Sequence, residues 1–227
     1  MRALDTLRGG LVVSCQPVDD GPMDRPDIVA AMAAAAVAGG ATGVRIEGAA
    51  NLAAARAAVT VPIIGILKRD LSDSPVRITP YLADVRALRD AGADIIAYDA
   101  TDRPRPETTA AILGAIHAAG KLAMADCSCL ADGQRAQAEG AEILGTTLSG
   151  YTAETAGRAE GVDCDLIRAF KALGAFVMAE GRVNTPELAA QAMAAGTDAV
   201  TVGTALTRLE HVTGWFQSAV AHAVRAR

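Results

Sequence analysis

This chain of 227 residues has almost no aromatic side chains: one Trp, three Tyr and three Phe. Yet 51% of it is apolar, so close packing must rest on small and aliphatic side chains, above all alanine. It has no basic run and no basic patch interleaved with aromatics, and its 21 Lys and Arg face 26 Asp and Glu. That balance argues against nucleic acid as a partner. Long hydrophobic runs are missing too. Met1 to Gly10 is charged, and the apolar piece after it, Leu11 to Val13, is too short for a signal-peptide core or a membrane span. The expectation is a cytoplasmic protein with no membrane partner. Histidine is scarce, and His117, His211 and His222 all fall in helix-like stretches, away from strand ends. No histidine set is therefore placed for metal ligation or general base work. The four cysteines, Cys15, Cys127, Cys129 and Cys164, are scattered, and one residue separates Cys127 from Cys129 where zinc and thioredoxin motifs need two. They read as small buried residues.

One unit recurs: an Ala-rich helical stretch, a glycine, then within a few residues an apolar strand. Gly39/Gly40, Gly92, Gly120, Gly140, Gly174 and Gly196 stand where a helix takes a left-handed C-terminal cap. Strands are predicted at residues 11–16, 43–48, 63–68, 95–100, 122–127, 142–148, 176–181 and 199–204. Eight strands alternating with helices make parallel βα units, which close into a (β/α)8 TIM barrel, here one domain over residues 1–227. A doubly wound open sheet is the rival. It would need a glycine fingerprint after the first strand to hold a dinucleotide, and Ser14-Cys15-Gln16-Pro17-Val18 has none. Thr79-Pro80 and Thr185-Pro186 each offer a capping hydroxyl ahead of a proline at the first helical position. Residues 69–79 and 149–162 form loops long enough to be lids or binding loops. The last helix, about 211–224, carries Val212, Trp215, Phe216, Ala219 and Ala223 on one stripe, which suits either core packing or a subunit interface.

The third strand, Ile63-Ile64-Gly65-Ile66-Leu67-Lys68, runs apolar up to a lysine. An unbroken apolar run fits a strand covered on both faces, and an amine emerging from it is partly desolvated, which disfavours its charged form. A solvated loop lysine is the plain alternative. The other strand ends weigh against it, because they collect Gln16, Arg45 and Glu47, Asp99, Asp126, Ser149, Glu180, and Gly203 with Thr204 on the rim where barrel enzymes do chemistry. Gly181-Arg182 and Gly203-Thr204, with a short helix over 205–208, fall where barrels hold phosphate, and Arg182 and Arg208 are candidate donors to a dianion. The glycines could alternatively only relieve strain. A lysine and carboxylates around a phosphorylated molecule, with no metal cluster or nucleotide motif, suit proton transfer beside a carbonyl; a Schiff base on lysine is the other use of a neutral amine.

The strings Leu11–Gln16 (LVVSCQ), Val44–Gly48 (VRIEG), Pro62–Arg69 (PIIGILKR), Met124–Ser128 (MADCS), Gly145–Thr152 (GTTLSGYT) and Ala179–Pro186 (AEGRVNTP) together resemble the N-acylglucosamine-6-phosphate (N-acetylmannosamine-6-phosphate) 2-epimerases of bacterial sialic acid catabolism. The similarity runs from about Gly9 to Trp215. It implies interconversion of N-acetylmannosamine 6-phosphate and N-acetylglucosamine 6-phosphate at C2 without cofactor or metal, by a homodimer. It puts the proton acceptor and donor on Lys68 and its partner carboxylate on Glu180. It places Gln16, Arg45 and Asp126 at the sugar, and Gly181, Arg182, Gly203, Thr204 and Arg208 at the phosphate. Tyr98 and Thr204 depart from the family's usual residues. The competing functions are a Schiff-base aldolase on a sugar phosphate and a sugar-phosphate sensor without turnover.

Overall fold

A computed structural model describes residues 2–157 and 161–225. Eight parallel strands follow one another around a closed barrel: β1 (Gly10–Cys15), β2 (Gly43–Glu47), β3 (Ile63–Ile66), β4 (Ile95–Asp99), β5 (Leu122–Asp126), β6 (Ile143–Gly145), β7 (Phe176–Ala179) and β8 (Ala199–Val202). Closure is made by β8 on β1, with Val12 opposite Thr201. The strands lie where the apolar runs put them, but the ladders stop one to three residues short of the predicted C-terminal ends. There the backbone leaves the sheet to form the rim. Lys68, for example, lies two residues past β3, in an isolated antiparallel bridge with Ile78.

Except on the outer side of β8, both faces of the strands are covered, which is why the runs show no polar alternation. One face points into the barrel, where Val12, Ile64, Ile66, Ile95, Met124, Ile143, Phe176 and Met178 pack together. The other meets the helices through Val13, Val44, Ile46, Ile96, Leu144 and Val177. A short N-terminal helix, α1 (Arg2–Leu7), plugs the lower mouth with the fully buried Leu7. Around the barrel run α2 (Pro26–Ala38), α3 (Ala49–Ala58), α4 (Leu82–Asp90), α5 (Thr109–Ala118), α6 (Leu130–Glu139), α7 (Cys164–Ala172) and α8 (Pro186–Ala194). After β8 come the one-turn α9 (Thr204–Thr207) and the long α10 (Leu209–Arg225).

The predicted glycine caps hold: Gly40, Gly92, Gly120, Gly140, Gly174 and Gly196 all have positive φ, while Gly39 stays right-handed. Thr185 caps α8 as expected, accepting from the Leu188 N–H with Pro186 in the first turn. Thr79 does not cap α4. The segment before it folds back on the end of β3, Thr79 takes φ 47°, and its hydroxyl donates to the Ala97 carbonyl at 2.7 Å. The helix starts at Leu82, where the Asp84 carboxylate accepts from the Tyr81 N–H at 3.2 Å. Cys15 and Cys127 are buried, and burial pushes the Cys15 thiol up to about 12; Cys129 and Cys164 are only half-buried.

The core alternative for the last helix is ruled out. No residue of α10 is buried, and Trp215 is 42% and Phe216 70% exposed. The place a barrel's eighth helix would cover is an apolar groove of about 490 Å³, lined by Leu11, Met193, Val200, Val202 and Leu206 among others. Among the described residues no helix is long and apolar enough to cross a membrane.

Candidate active site

Strand parity decides what the rim presents. Successive side chains on a strand point to opposite faces, so the residues sharing parity with the barrel interior emerge at the top. They include Ser14 and Gln16, Arg45, Lys68, Asp99, Asp126, Thr147, Glu180, and Thr201 with Gly203. All but Asp126 line a cavity of about 440 Å³ at the C-terminal mouth, together with Gly181, Arg182, Thr204 and Arg208. Asp126 lies directly beneath the wall, fully buried. Two other rim candidates turn elsewhere. Ser149 donates to the Asp163 carboxylate at 2.5 Å, and Glu47 accepts the Lys68 backbone N–H at 3.2 Å.

Arg45 organises the floor. Its buried guanidinium donates to both oxygens of Asp126, at 3.2 and 2.7 Å, and to the Glu180 carboxylate at 2.6 Å. Burial works against its charge, but Asp126 and Glu180 outweigh burial and hold its pKa above the ordinary arginine value. Thr147, on the β6 loop, donates to Asp126 at 2.7 Å and lies 3.4 Å from Glu180. Glu180 is kept in line from its own backbone, since the Thr146 hydroxyl accepts the Glu180 N–H and donates to the Glu180 carbonyl. Burial first, and the nearby Asp126 carboxylate, raise the Glu180 pKa to about 7 against the opposing pull of Arg45, Lys68 and Thr147.

Lys68 differs from its neighbours. Among the described residues its amine has neither hydrogen bond nor ion pair; the Glu180 carboxylate that sequence paired with it is bonded to Arg45 instead. Its pKa is lowered, chiefly by burial and next by the positive charge of Arg208, with Arg45 adding to the effect and Asp19 and Glu47 opposing it. A lowered pKa brings an amine closer to its neutral form at ordinary pH.

The β7 and β8 side of the mouth is rich in glycine and arginine. Gly203 approaches β1 so closely that a Cβ there would stand 3.2 Å from the Ser14 Cβ, and it opens directly into α9. Arg208 anchors its Nε on the Gln16 carbonyl at 3.1 Å and lines the cavity. Arg182 is more committed than the sequence suggests. At φ 57° it donates to the Gly161 carbonyl at 3.0 Å and to the Ser149 carbonyl, and its guanidinium lies 5.4 Å from the Tyr151 ring centre. It lines the cavity while tying β7 to the loop after β6.

Sequence reasoning did not find Ser14, Thr147 and Thr201, whose signal was available as inward parity, nor Tyr151, Arg77 and Arg103, which arrive on loops whose fold-back no local pattern announces. Arg77 is held by Asp70 at 2.6 Å and Arg103 by Asp99 at 2.5 Å. The wall thus carries Arg45, Lys68, Arg77, Arg103, Arg182 and Arg208 against Asp99 and Glu180, in a chain of net charge −5. A cavity so charged draws anions. Among the described residues no group of His, Cys, Asp and Glu could hold a metal ion.

Residues 29–222 match the N-acetylmannosamine-6-phosphate epimerase family. The chain is 60% identical, over 94% of its length and 92% of the relative's, to an N-acetylmannosamine-6-phosphate 2-epimerase of Actinobacillus pleuropneumoniae serotype 5b. One from Photobacterium profundum is 58% identical over 99% and 95% of the two chains. Among solved structures, the N-acetylmannosamine-6-phosphate 2-epimerase of Clostridium perfringens superposes with a TM-score of 0.91 at 39% identity, covering 95% of each chain. The barrel, its cationic mouth and these relatives agree, and the chain belongs to the N-acetylmannosamine-6-phosphate 2-epimerase family.

Proposed function

We propose that this chain interconverts N-acetylmannosamine 6-phosphate and N-acetylglucosamine 6-phosphate by moving the proton at C2, with Lys68 as the base. In the open-chain sugar C1 is an aldehyde and draws off the charge left when the C2–H bond breaks. The Lys68 lone pair takes the proton and becomes an ammonium while the C1 oxygen gains the negative charge. The Lys68 ammonium returns a proton to the other face of C2, the charge on the C1 oxygen collapses back to the aldehyde, and the epimer forms with Lys68 neutral again and no cofactor used. The observation that carries this reading is the Lys68 amine: half-buried, unpaired among the described residues and lowered in pKa.

Glu180 is the partner carboxylate. With a pKa of about 7 both its forms are present at neutral pH, so it can give or take a proton at the sugar. Arg45 fixes its position, and the buried Asp126 acts on the sugar through Arg45 and Thr147. Gln16 contacts the sugar from β1. The backbone at Gly181, Gly203 and Thr204 receives the phosphate with Arg208 supplying charge, and Arg182 closes that end from the β6 loop. The working form is a homodimer in which α10 of one copy covers the apolar groove of the other, because the groove and the Trp215 and Phe216 face are complementary surfaces left open within one chain.

Proton NMR of N-acetylmannosamine 6-phosphate with the protein in D2O tests the chemistry. The C2 proton signal is expected to vanish as the gluco epimer accumulates, and Lys68→Ala should do neither, with turnover down by roughly 10²–10⁴-fold. A Lys68→Ala protein with near-native turnover would remove Lys68 as the base.

A further inference from the structure

The hydroxyls of the exposed Tyr151 and the half-buried Thr204 at the cavity are open to water, whereas the more buried ones are mostly bonded within the protein. Thr147 donates to Asp126, the Ser14 hydroxyl accepts from the Gln16 amide at 2.7 Å, and Thr207 donates to the Ser14 carbonyl at 2.7 Å. Among the buried hydroxyls lining the cavity Thr201 is the exception. It is 1% exposed, faces inward from β8 and lines the cavity, yet its Oγ1 has no hydrogen-bond partner among the described residues. The Nε of Arg45, 1% exposed on the same wall, is unpartnered as well. Threonine and valine have nearly the same shape, so packing alone would be served by valine at 201. A buried hydroxyl without a partner weakens the free protein unless something else supplies the bond.

The two orphaned groups belong to residues that line the same cavity. Thr201 and Arg45 stand on the two strands that flank β1, opposite Val12 and Ser14 respectively. One can only donate and the other can donate or accept, which together match an alcohol. Thr201 lies two residues before Gly203, one step deeper than the phosphate end, and Lys68 enters the same cavity from the end of β3. We infer that Thr201 and the Arg45 Nε bind a hydroxyl of the sugar between C2 and the phosphate-bearing carbon, making Thr201 a substrate-recognition residue. This rests on the placement of the sugar phosphate in this cavity.

Thr201→Val and Thr201→Ser test it, with Lys68→Ala and Arg208→Ala beside them. Without substrate, Thr201→Val is expected to melt at the native temperature or above, since it removes an unpaired buried hydroxyl. Its KM for N-acetylmannosamine 6-phosphate should rise by roughly five- to tenfold, the worth of one lost hydrogen bond, and substrate should raise its melting temperature less than it raises the native protein's. Thr201→Ser should behave as the native chain. An unchanged KM in Thr201→Val overturns the inference, as does a lower melting temperature of that variant without substrate, which would mean the hydroxyl is already bonded. Equal loss in Thr201→Ser would overturn it too, by assigning the effect to the methyl group. If Lys68→Ala and Arg208→Ala lose turnover or affinity while Thr201→Val loses nothing, this inference alone falls. If none of the variants is affected, the placement of the substrate falls with it.

Discussion

At the scale of the residue, Lys68 and Glu180 carry opposite departures for one cause. Burial disfavours charge, so the amine is lowered and the carboxyl raised to about 7, and the two drift toward the pH at which protons can be exchanged. Glu180 has a consequence for stability. The folded state holds its proton up to about pH 7, whereas the unfolded chain releases it near the ordinary 4.5. Stability from this group is therefore fullest below 4.5 and is lost as pH rises toward 7. Glu180→Gln, which keeps an acceptor for Arg45, should raise the melting temperature at pH 8 more than at pH 5 and remove the ionisation near 7 from the pH profile of kcat/KM. A profile that keeps this limb would assign it to another group. Much of the rim was legible in advance because parity is a local property: once Lys68, Asp126 and Glu180 are read as strand-end residues, they must face one mouth. Who pairs with whom was not legible. The resemblance made Glu180 the partner of Lys68; in the site Glu180 feels the charge of Lys68 but is hydrogen-bonded to Arg45, a contact between distant strands that local sequence does not contain.

At the scale of the element, close approach does what the missing aromatics cannot. Gly65 faces outward from β3, and a Cβ there would stand 2.6 Å from the Leu52 side chain, 3.0 Å from the Ala93 Cβ and 3.2 Å from Leu88. The absent side chain is what lets α3 and α4 settle on the strand. Gly65→Ala should cost about 1–3 kcal/mol by overpacking, read from the urea midpoint, with kcat changed little because Lys68 lies three residues further on. A variant as stable as the native chain would show that the helices yield at that contact. The same element explains why strand ends and caps were only partly predictable. Thr185 and Thr79 look alike in sequence, each a threonine before proline, and only Thr185 caps a helix. Thr79 is taken by a long-range bond to Ala97, a competition that local sequence does not contain.

At the scale of the whole molecule, two apolar surfaces stay open. Helix α10 has 17 residues and none buried, although helices in proteins draw most of their stability from a packed face. The groove along β8 and α8 lacks the cover that other barrel strands receive. Within one chain the two are joined by only the four residues of α9 and Arg208, and no α10 residue lines the groove. In the proposed homodimer a second copy would cover both at once, and by two-fold symmetry twice. The native protein should therefore sediment at twice the chain mass. Phe216→Glu, which sets a charge on the 70% exposed ring position, should sediment at one and melt lower, because the groove is then left to water. A native protein that sediments as a single chain at micromolar concentration would oblige α10 and the groove to find another explanation. A Phe216→Glu dimer would move the interface elsewhere. Because the groove runs behind β8, whose inner face carries Thr201 and Gly203, loss of the cover should also be felt as a higher KM, while a KM unaltered in the monomer would show that the barrel holds its mouth without help.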